Sequence, residues 1–444
     1  MKLKSITVGG FKNISRTKLL LDRVIAVVSP NNYGKSNLLE AIDFGTDFIT
    51  ASPKQRQLMM GWVRGIPINN YLENEDFIFE VEFHDPELGE YQYVKYGYRF
   101  SWYKDNGSGQ RIVDEWLETR PTESVRYTAF IKRPEGKYRK SKDTSAYRII
   151  NADNNQLIIE MLAAVQDISI YPVLQSLRRI DYHVCASLDL GDRFQSAPIE
   201  YIKQADEGGV MFDDEDVPRA LYHLKRLKPE HYDLFEEAVY NLFPEIEAIS
   251  IQSFELKKED SHLEHYELVN GNKVLLDDNS ADNQIPFKIR DEIYRLLVTS
   301  QYLNQPINMS MMSTGTKRIF WLLANVFIAT AKRISCIGVE ELETSIHPKL
   351  LKALLEILDE ILEDNSLIIS SHSPYLIQYI KPERIYVGVP NNKGNAVFKR
   401  IKSSSIRGLI SASRDNGMSV GEYLFELMAS DQDNAEILSL YLED

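Results

Sequence analysis

The feature that most restricts the fold is a buried-strand pattern that stops in a tight loop and restarts as a helix. Residues 23–28 (RVIAVV) form an apolar, β-branched run, the pattern of a strand covered on both faces. Ser29-Pro30-Asn31-Asn32-Tyr33-Gly34-Lys35-Ser36 follows at once, and NLLEAI then reads as an amphipathic helix. A strand entering a helix through Gly-Lys-Ser is the setting of a phosphate loop. Backbone N–H groups from Asn31 to Ser36 would bind phosphate oxygens at the helix N-terminus. Gly34 would let the backbone come close, Lys35 would reach the β and γ phosphates, and the Ser36 hydroxyl would bind Mg²⁺. The first glycine of the usual pattern is Ser29 here. A glycine-containing turn capped by Ser36 is the plainer alternative.

Composition removes several classes. The 444 residues are about three times the ~150 of one domain, and 43% are apolar and 26% charged, which excludes a disordered, collagenous or membrane-spanning chain. The longest nearly charge-free run, near Leu322–Ala331, falls far short of the roughly 20 residues a bilayer needs. The start MKLKSITVGGF has no signal-peptide apolar core. Two cysteines, Cys185 and Cys336, are too few for a four-ligand zinc site or a disulfide framework, and a reducing cytoplasm is the expected compartment. Fifty-one Lys and Arg against 65 Asp and Glu leave a net charge of −14, which opposes non-specific coating of nucleic acid. A local basic groove stays open at Arg126–Arg148, where Arg126, Lys132, Arg133, Lys137, Arg139, Lys140, Lys142 and Arg148 face only Glu135 and Asp143. A solvated loop is the alternative there.

Along the chain, two short strands are expected within residues 1–28 and three more in FIFEVEF, YVKYGYRF and RIVDEWL. ISIYPVLQSLRRI, VPRALYHLKRL and YDLFEEAVYNLF read as helices, and residues 311–333 as one long apolar helix. ISCIGV and SLIISS are buried strands, HPKLLKALLEILDEILED is an amphipathic helix, and RIYVGV with NAVFKRI reads as a hairpin. Residues 401–444 read as a polar helical tail, in which Asp431-Gln432-Asp433 is an acidic helix start. The acidic 206–216 stretch and the polar 255–283 stretch are loops, either solvated or partner-facing.

Three further junctions carry chemistry. ISCIGVEELETSIHP is a buried strand ending in Glu340 and Glu341; Glu340 would join the Mg²⁺ shell and Glu341 would polarise the attacking water. Met312-Ser313-Thr314-Gly315-Thr316 precedes the long helix, where small residues and a helix N-terminus make a second anion cradle around Ser313 and Gly315. In IISSHSP, His372 follows a buried strand. Taken singly, each has a plainer account: a solvated strand end, a Ser/Thr helix cap, a structural histidine.

In order, these read as Walker A, signature, Walker B and H-loop, and the chain resembles the ABC-type ATPase heads of the RecF/SMC/OLD kind. GFKNI (Gly10–Ile14) resembles their opening strand–turn, and ETSIHPKLL resembles a compact bacterial branch. The resemblance covers roughly residues 1–120 and 300–400, and 121–300 in outline. It implies an α/β fold: a P-loop ATPase head of mixed sheet core and antiparallel β lobe, a mostly helical insertion and a short helical C-terminal tail. The expected divisions are 1–120 and 306–400 for the head, 121–305 for the insertion and 401–444 for the tail.

The resemblance also implies roles. ATP and Mg²⁺ would be the cofactors, with Lys35 and Ser36 of one subunit holding them. Ser313 and Gly315 of a second copy would close on the γ phosphate, Glu341 would activate water and His372 would contact the γ phosphate. The departures at Ser29 and Glu340 point to slow turnover. The pattern shows no coiled-coil arm, and fewer residues follow His372 than a nuclease domain of ~100 residues requires. The branch resembles ATPase subunits of anti-phage systems such as PARIS (its AriA subunit) and Septu, which pair with a separate nuclease or toxin. A homodimer or higher homo-oligomer formed around ATP, with no membrane partner, is the expectation. A RecF-like ATPase that binds DNA directly, and a scaffold that binds ATP without hydrolysing it, are the rival readings.

Overall fold

Short apolar runs from distant parts of the sequence meet in one sheet. The computed structural model describes residues 1–61, 65–104, 106–142, 146–165, 168–185, 192–196, 198–201, 216–256, 266–269, 272–275, 287–389, 393–429 and 432–443. Tyr182–Cys185, Cys336–Glu340, Ser366–Ser371, Val24–Val28 and Ile385–Gly388 lie side by side in parallel, and Phe398–Arg400 adds an antiparallel edge. Every residue of Val24–Val28 and of Ser366–Ser371 is buried, as strands covered on both faces require. Register sets what comes next. Val28 lies opposite Ser371, and Ser370 lies opposite Glu340, so the carboxyl ends of three strands fall in one row. Open parallel sheets bind ligands along that row.

A second sheet is antiparallel and eight-stranded, in the order Thr17–Leu20, Lys2–Gly9, Phe77–His84, Tyr93–Ser101, Arg111–Arg120, Thr128–Lys132, Lys137–Tyr138 and Arg148–Ile149. The helix Lys35–Thr50 touches strands of both sheets. Phe48 on this helix stacks on Tyr98 and Phe100 at 4.8 and 4.9 Å, and the Tyr98 hydroxyl donates to the Gly45 carbonyl at 2.6 Å. Gly45 is there because the Phe79 ring is close: a Cβ at 45 would lie 2.1 Å from it. Gly→Ala inside a helix ordinarily stabilises by up to about 1 kcal/mol. Here overpacking outweighs that gain, and Gly45→Ala is expected to destabilise by about 2 kcal/mol. A lower denaturant midpoint checks it; an unchanged or higher midpoint contradicts the close approach.

The chain divides into two units, Met1–Ser187 with Arg333–Asp444, and Leu188–Lys332. In the second unit, the helices Val217–Leu227, Pro229–Leu242 and Thr314–Lys332 accompany an antiparallel sheet of Ile246–Glu255, Glu292–Ser300 and Ile307–Asn308. Phe235 meets Phe320 and Phe327 edge-on at 6.1 and 6.0 Å. The first unit ends in three helices, Ile406–Asp415, Val420–Met428 and Gln432–Tyr441.

Several local expectations are corrected. Residues 1–28 hold three strands, because Thr17–Leu20 pairs with the first strand despite its polar composition. The helix expected over ISIYPVLQSLRRI is confined to Tyr171–Leu177, with proline in its first turn marking the start. Asp216 is neither solvated nor partner-facing. It is buried, caps Val217–Leu227 by accepting from the Arg219 N–H at 3.1 Å, and accepts from Arg290 at 2.6 Å and the Ser196 hydroxyl at 2.7 Å. The rest of the 206–216 stretch, Asp431 and most of 255–283 lie outside the described residues.

Candidate nucleotide site

The loop that leaves Val24–Val28 is built to turn sharply and stay in place. Asn32 has φ +59° and Gly34 has φ +125°, and the helix begins at Lys35. A side chain at Gly34 would also press on Asn13, whose Oδ1 would lie 2.9 Å from its Cβ. Asn13, from the GFKNI turn, donates to the Tyr33 carbonyl at 3.0 Å and accepts from Asn37 at 2.8 Å, so it braces the loop. Ser29, the departure from glycine, is fully buried. Its Cβ fits because residue 388 on the neighbouring strand has none: a Cβ at Gly388 would lie 2.7 Å from Ser29 Cβ and 2.7 Å from the Tyr33 ring. The Tyr33 hydroxyl donates to the Val389 carbonyl, and burial pushes that hydroxyl up to about 12.

Lys35 is buried, and its Nζ donates to the Ser29 and Pro30 carbonyls at 3.0 and 3.3 Å. Burial lowers its pKa, while Glu341, Glu343 and Glu340 pull it back up. The ammonium is therefore held by its own loop and faces three carboxylates. Asn31 and Ser36 are exposed. The Ser36 hydroxyl and the Glu340 carboxylate are both oxygen donors, the type of ligand that Mg²⁺ takes.

Glu340 closes its strand, and Glu341 follows with φ +45°. A left-handed non-glycine residue costs of order 1–3 kcal/mol, and such strain gathers at functional sites. The Glu341 N–H donates to the Ser370 carbonyl at 2.9 Å, which fixes the turn to the next strand. Its Oε1 lies 3.4 Å from Nδ1 of His372, and the Thr344 hydroxyl donates to its Oε2 at 3.4 Å. Both side chains are 42% exposed, open to a ligand. The structure thus brings together Lys35, Glu340, Glu341 and His372. It also supplies a residue that the strand-end pattern did not single out. Glu343 accepts from the Ser371 hydroxyl at 2.7 Å and from the His372 N–H at 3.2 Å. Its only sequence signal is the third acid in EELE.

Residues 24–378 match the family described as "AAA domain, putative AbiEii toxin, Type IV TA system". The chain belongs to this family of ABC-type ATPases. Among solved structures, it is similar to an SMC head bound to the C-winged helix domain of ScpA (12% identity, TM-score 0.48, covering 92% of this chain and 100% of that one). It is also similar to the SMC head domain from Thermotoga maritima (12%, 0.43, 90% and 100%). A third is an Smc head domain with an extended coiled coil bound to the C-terminal domain of ScpA, derived from Pyrococcus furiosus (11%, 0.46, 93% and 99%). A search of curated protein sequences finds no match.

The ATPase head keeps its other two predicted residues in the second unit. Ser313 precedes the helix Thr314–Lys332, and its Oγ accepts from the Thr316 N–H at 3.2 Å. That is a helix cap, and it leaves Ser313 and Thr314 exposed at the helix start, with Gly315 in its first turn. In the first unit, the basic stretch is largely committed to structure. Arg133 donates to the carbonyls of Ile112, Gln156 and Asp153 at 3.1, 2.6 and 2.7 Å and lies 3.6 Å from the buried Glu115. Lys137 pairs with Glu135, Lys142 pairs with Glu90, and Arg139 stacks on Tyr147 at 4.5 Å. Arg126, Lys132 and Arg148 are exposed. Among the described residues, no helix is long and apolar enough to cross a membrane.

One titration in the phosphate-loop helix is within reach of experiment. Burial, followed by the charges of Asp47, Asp181 and Glu40, pushes the Asp43 carboxyl up from 3.8 to about 7. The folded state therefore holds a proton that the unfolded chain loses. The penalty is absent below pH ~4, grows up to pH ~7 and is full above it. With solvent screening discounted, Asp43→Asn is expected to stabilise by about 2 kcal/mol more at pH 8 than at pH 5. Denaturant unfolding at the two pH values checks it; equal gains contradict it.

Proposed function

We propose that this chain is an ATP-driven switch. It binds ATP with Mg²⁺, pairs with a second copy around the nucleotide, hydrolyses it slowly, and regulates a separate effector, a nuclease or toxin, in bacterial anti-phage defence. The observation that carries the reading is the meeting, at the carboxyl ends of adjacent parallel strands, of the Gly34-Lys35-Ser36 loop, Glu340, Glu341 and His372. When ATP enters, Lys35 exchanges its Ser29 and Pro30 carbonyls for phosphate oxygens, a charge-assisted contact about twice as strong as a neutral one. Ser36 and Glu340 would hold Mg²⁺, which neutralises charge developing on the phosphates. Glu341 accepts the proton of the attacking water, and His372 donates toward the γ phosphate. Ser313, which is exposed, and Gly315 of the second copy would bring a helix start to the same phosphate.

Two considerations support a switch over a motor. Glu340 in place of the shorter aspartate puts the metal-side carboxylate one carbon farther out, and slow hydrolysis lengthens the closed state. A nucleotide that binds the closed pair better than the open chain shifts the population by that difference in affinity. Residues 121–305 would carry the partner surface. The family description, which names a toxin and a toxin–antitoxin system, is in keeping with an effector nearby. The cytoplasm suits both the nucleotide supply and two buried cysteines that form no disulfide.

Affinity purification from native cells, in the Glu341→Gln and Lys35→Ala forms, tests this. With ATP, the Glu341→Gln form is expected to contain two copies of this chain and the Lys35→Ala form one, and the two are expected to differ in one stoichiometric protein partner. Nuclease-sensitive DNA on the Glu341→Gln form, with no protein partner, would replace this reading with the DNA-binding ATPase, for which the exposed Arg126, Lys132 and Arg148 are the available contacts.

A further inference from the structure

We propose that Glu343 is a positioning residue for hydrolysis, a strap that fixes the His372 loop to the Glu341 turn so that the two side chains meet the nucleotide as one unit. The inference rests on the hydrolytic reading of the site. Its observations are independent of that reading.

One carboxylate oxygen gathers the whole loop after the strand Ser366–Ser371. Glu343 Oε1 accepts from the Ser371 hydroxyl at 2.7 Å and from the His372 N–H at 3.2 Å. The Ser371 Oγ in turn accepts from the Ser373 N–H at 3.0 Å. At its other end, the strap belongs to the same short turn as Glu341, where the Thr344 N–H donates to the Glu341 carbonyl at 3.0 Å. His372 Nδ1 sits between the two acids, 3.4 Å from Glu341 Oε1 and 3.9 Å from Glu343 Oε1. Two loops that approach the nucleotide from different strands are thereby joined through a single side chain.

The choice of residue type sharpens the point. The Glu343 side chain is only 10% exposed, and its Oε2 is buried without a hydrogen-bond partner. A loop tie alone needs one acceptor, which an amide oxygen supplies without burying a charge. Leaving a charged oxygen unpaired is costly. The negative charge is also the second-largest of those that act on the Lys35 ammonium. The strap therefore senses the same cation that ATP must draw off the loop carbonyls. A loop held this way keeps the reacting groups within the fraction of an ångström on which rate depends.

The experiment compares the full chain with its Glu343→Ala, Glu343→Gln, Ser371→Ala and Glu341→Gln variants. Three readouts are taken: steady-state ATP turnover, the affinity of a non-hydrolysable ATP analogue, and the NMR chemical shifts of ¹³C-labelled His372 at one fixed pH. Glu343→Ala is expected to lower kcat about 30-fold while the analogue's Kd moves less than about threefold, because misplacement acts on the reaction and not on ground-state binding. Glu343→Gln keeps an acceptor for Ser371 and His372 and should recover to within about fivefold of wild type. Ser371→Ala, which removes one leg, should fall between them and guards against a Glu343→Ala chain that does not fold. The His372 ring signals should shift in Glu343→Ala and return toward wild type in Glu343→Gln, which restores the acceptor for the His372 N–H. Any of three results overturns the proposal: turnover in Glu343→Ala within about threefold of wild type, equal losses of turnover and affinity, or a Glu343→Gln form as slow as Glu343→Ala. If wild type and Glu341→Gln turn over alike, the hydrolytic reading is what fails. The His372 ring signals then decide the strap by themselves, and a Glu343→Ala spectrum that matches wild type overturns it.

Discussion

Replacing Glu341 with Gln is expected to lower ATP turnover about 10²–10³-fold while leaving ATP affinity within about threefold. The substitution keeps size and shape, so the strained turn at φ +45° and the N–H bond to Ser370 are undisturbed. On the proposed reading what is lost is the base, because an amide cannot take the proton from water. The His372 contact at 3.4 Å changes as well, since its Nδ1 would face a neutral amide in place of a carboxylate. Binding should persist because, on that reading, Lys35, Ser36 and the loop amides supply it. A phosphate-release assay beside equilibrium binding of labelled ATP separates the two. Equal rates in wild type and Glu341→Gln would favour a scaffold that binds ATP without hydrolysing it.

Lys35→Ala is expected to weaken ATP binding by about 100-fold, the loss of one or two charge-assisted bonds at roughly 1.5–3 kcal/mol each. The ground state moderates this. Lys35 is not idle before ATP arrives; it occupies the Ser29 and Pro30 carbonyls, and these must be released to water when it swings to phosphate. The three acids facing it matter more after the change. Without the ammonium, the negative charges of Glu340, Glu341 and Glu343 lose one of the cations that offset them when an anionic triphosphate binds. The affinity loss should therefore shrink when Glu343→Gln is added to Lys35→Ala, and isothermal titration of both forms measures it. A Lys35→Ala chain that binds ATP as well as wild type would remove the loop from the nucleotide site.

Much of this was legible in the sequence because it is local. A strand covered on both faces has to be a continuous apolar run, and RVIAVV, ISCIGV and SLIISS are such runs. A loop that bends into a helix needs a residue tolerant of positive φ, and Gly34 stands there. Glu340, Glu341 and His372 could be singled out because they end such runs.

Tertiary structure decided the rest, because register and close approach are not local. Only the parallel pairing of Cys336–Glu340 with Ser366–Ser371 puts Glu341 within 3.4 Å of His372. Ser29 reads as a defect of the loop until Gly388, far along the chain, is found to leave room for its Cβ. Arg133 reads as one more cation of a basic stretch, yet it is spent on three carbonyls inside the lobe. Glu343 had no pattern to announce it. A carboxylate becomes a strap only when the loop it ties is brought beside it, and the pairing of two strands, not the order of residues along either one, does that.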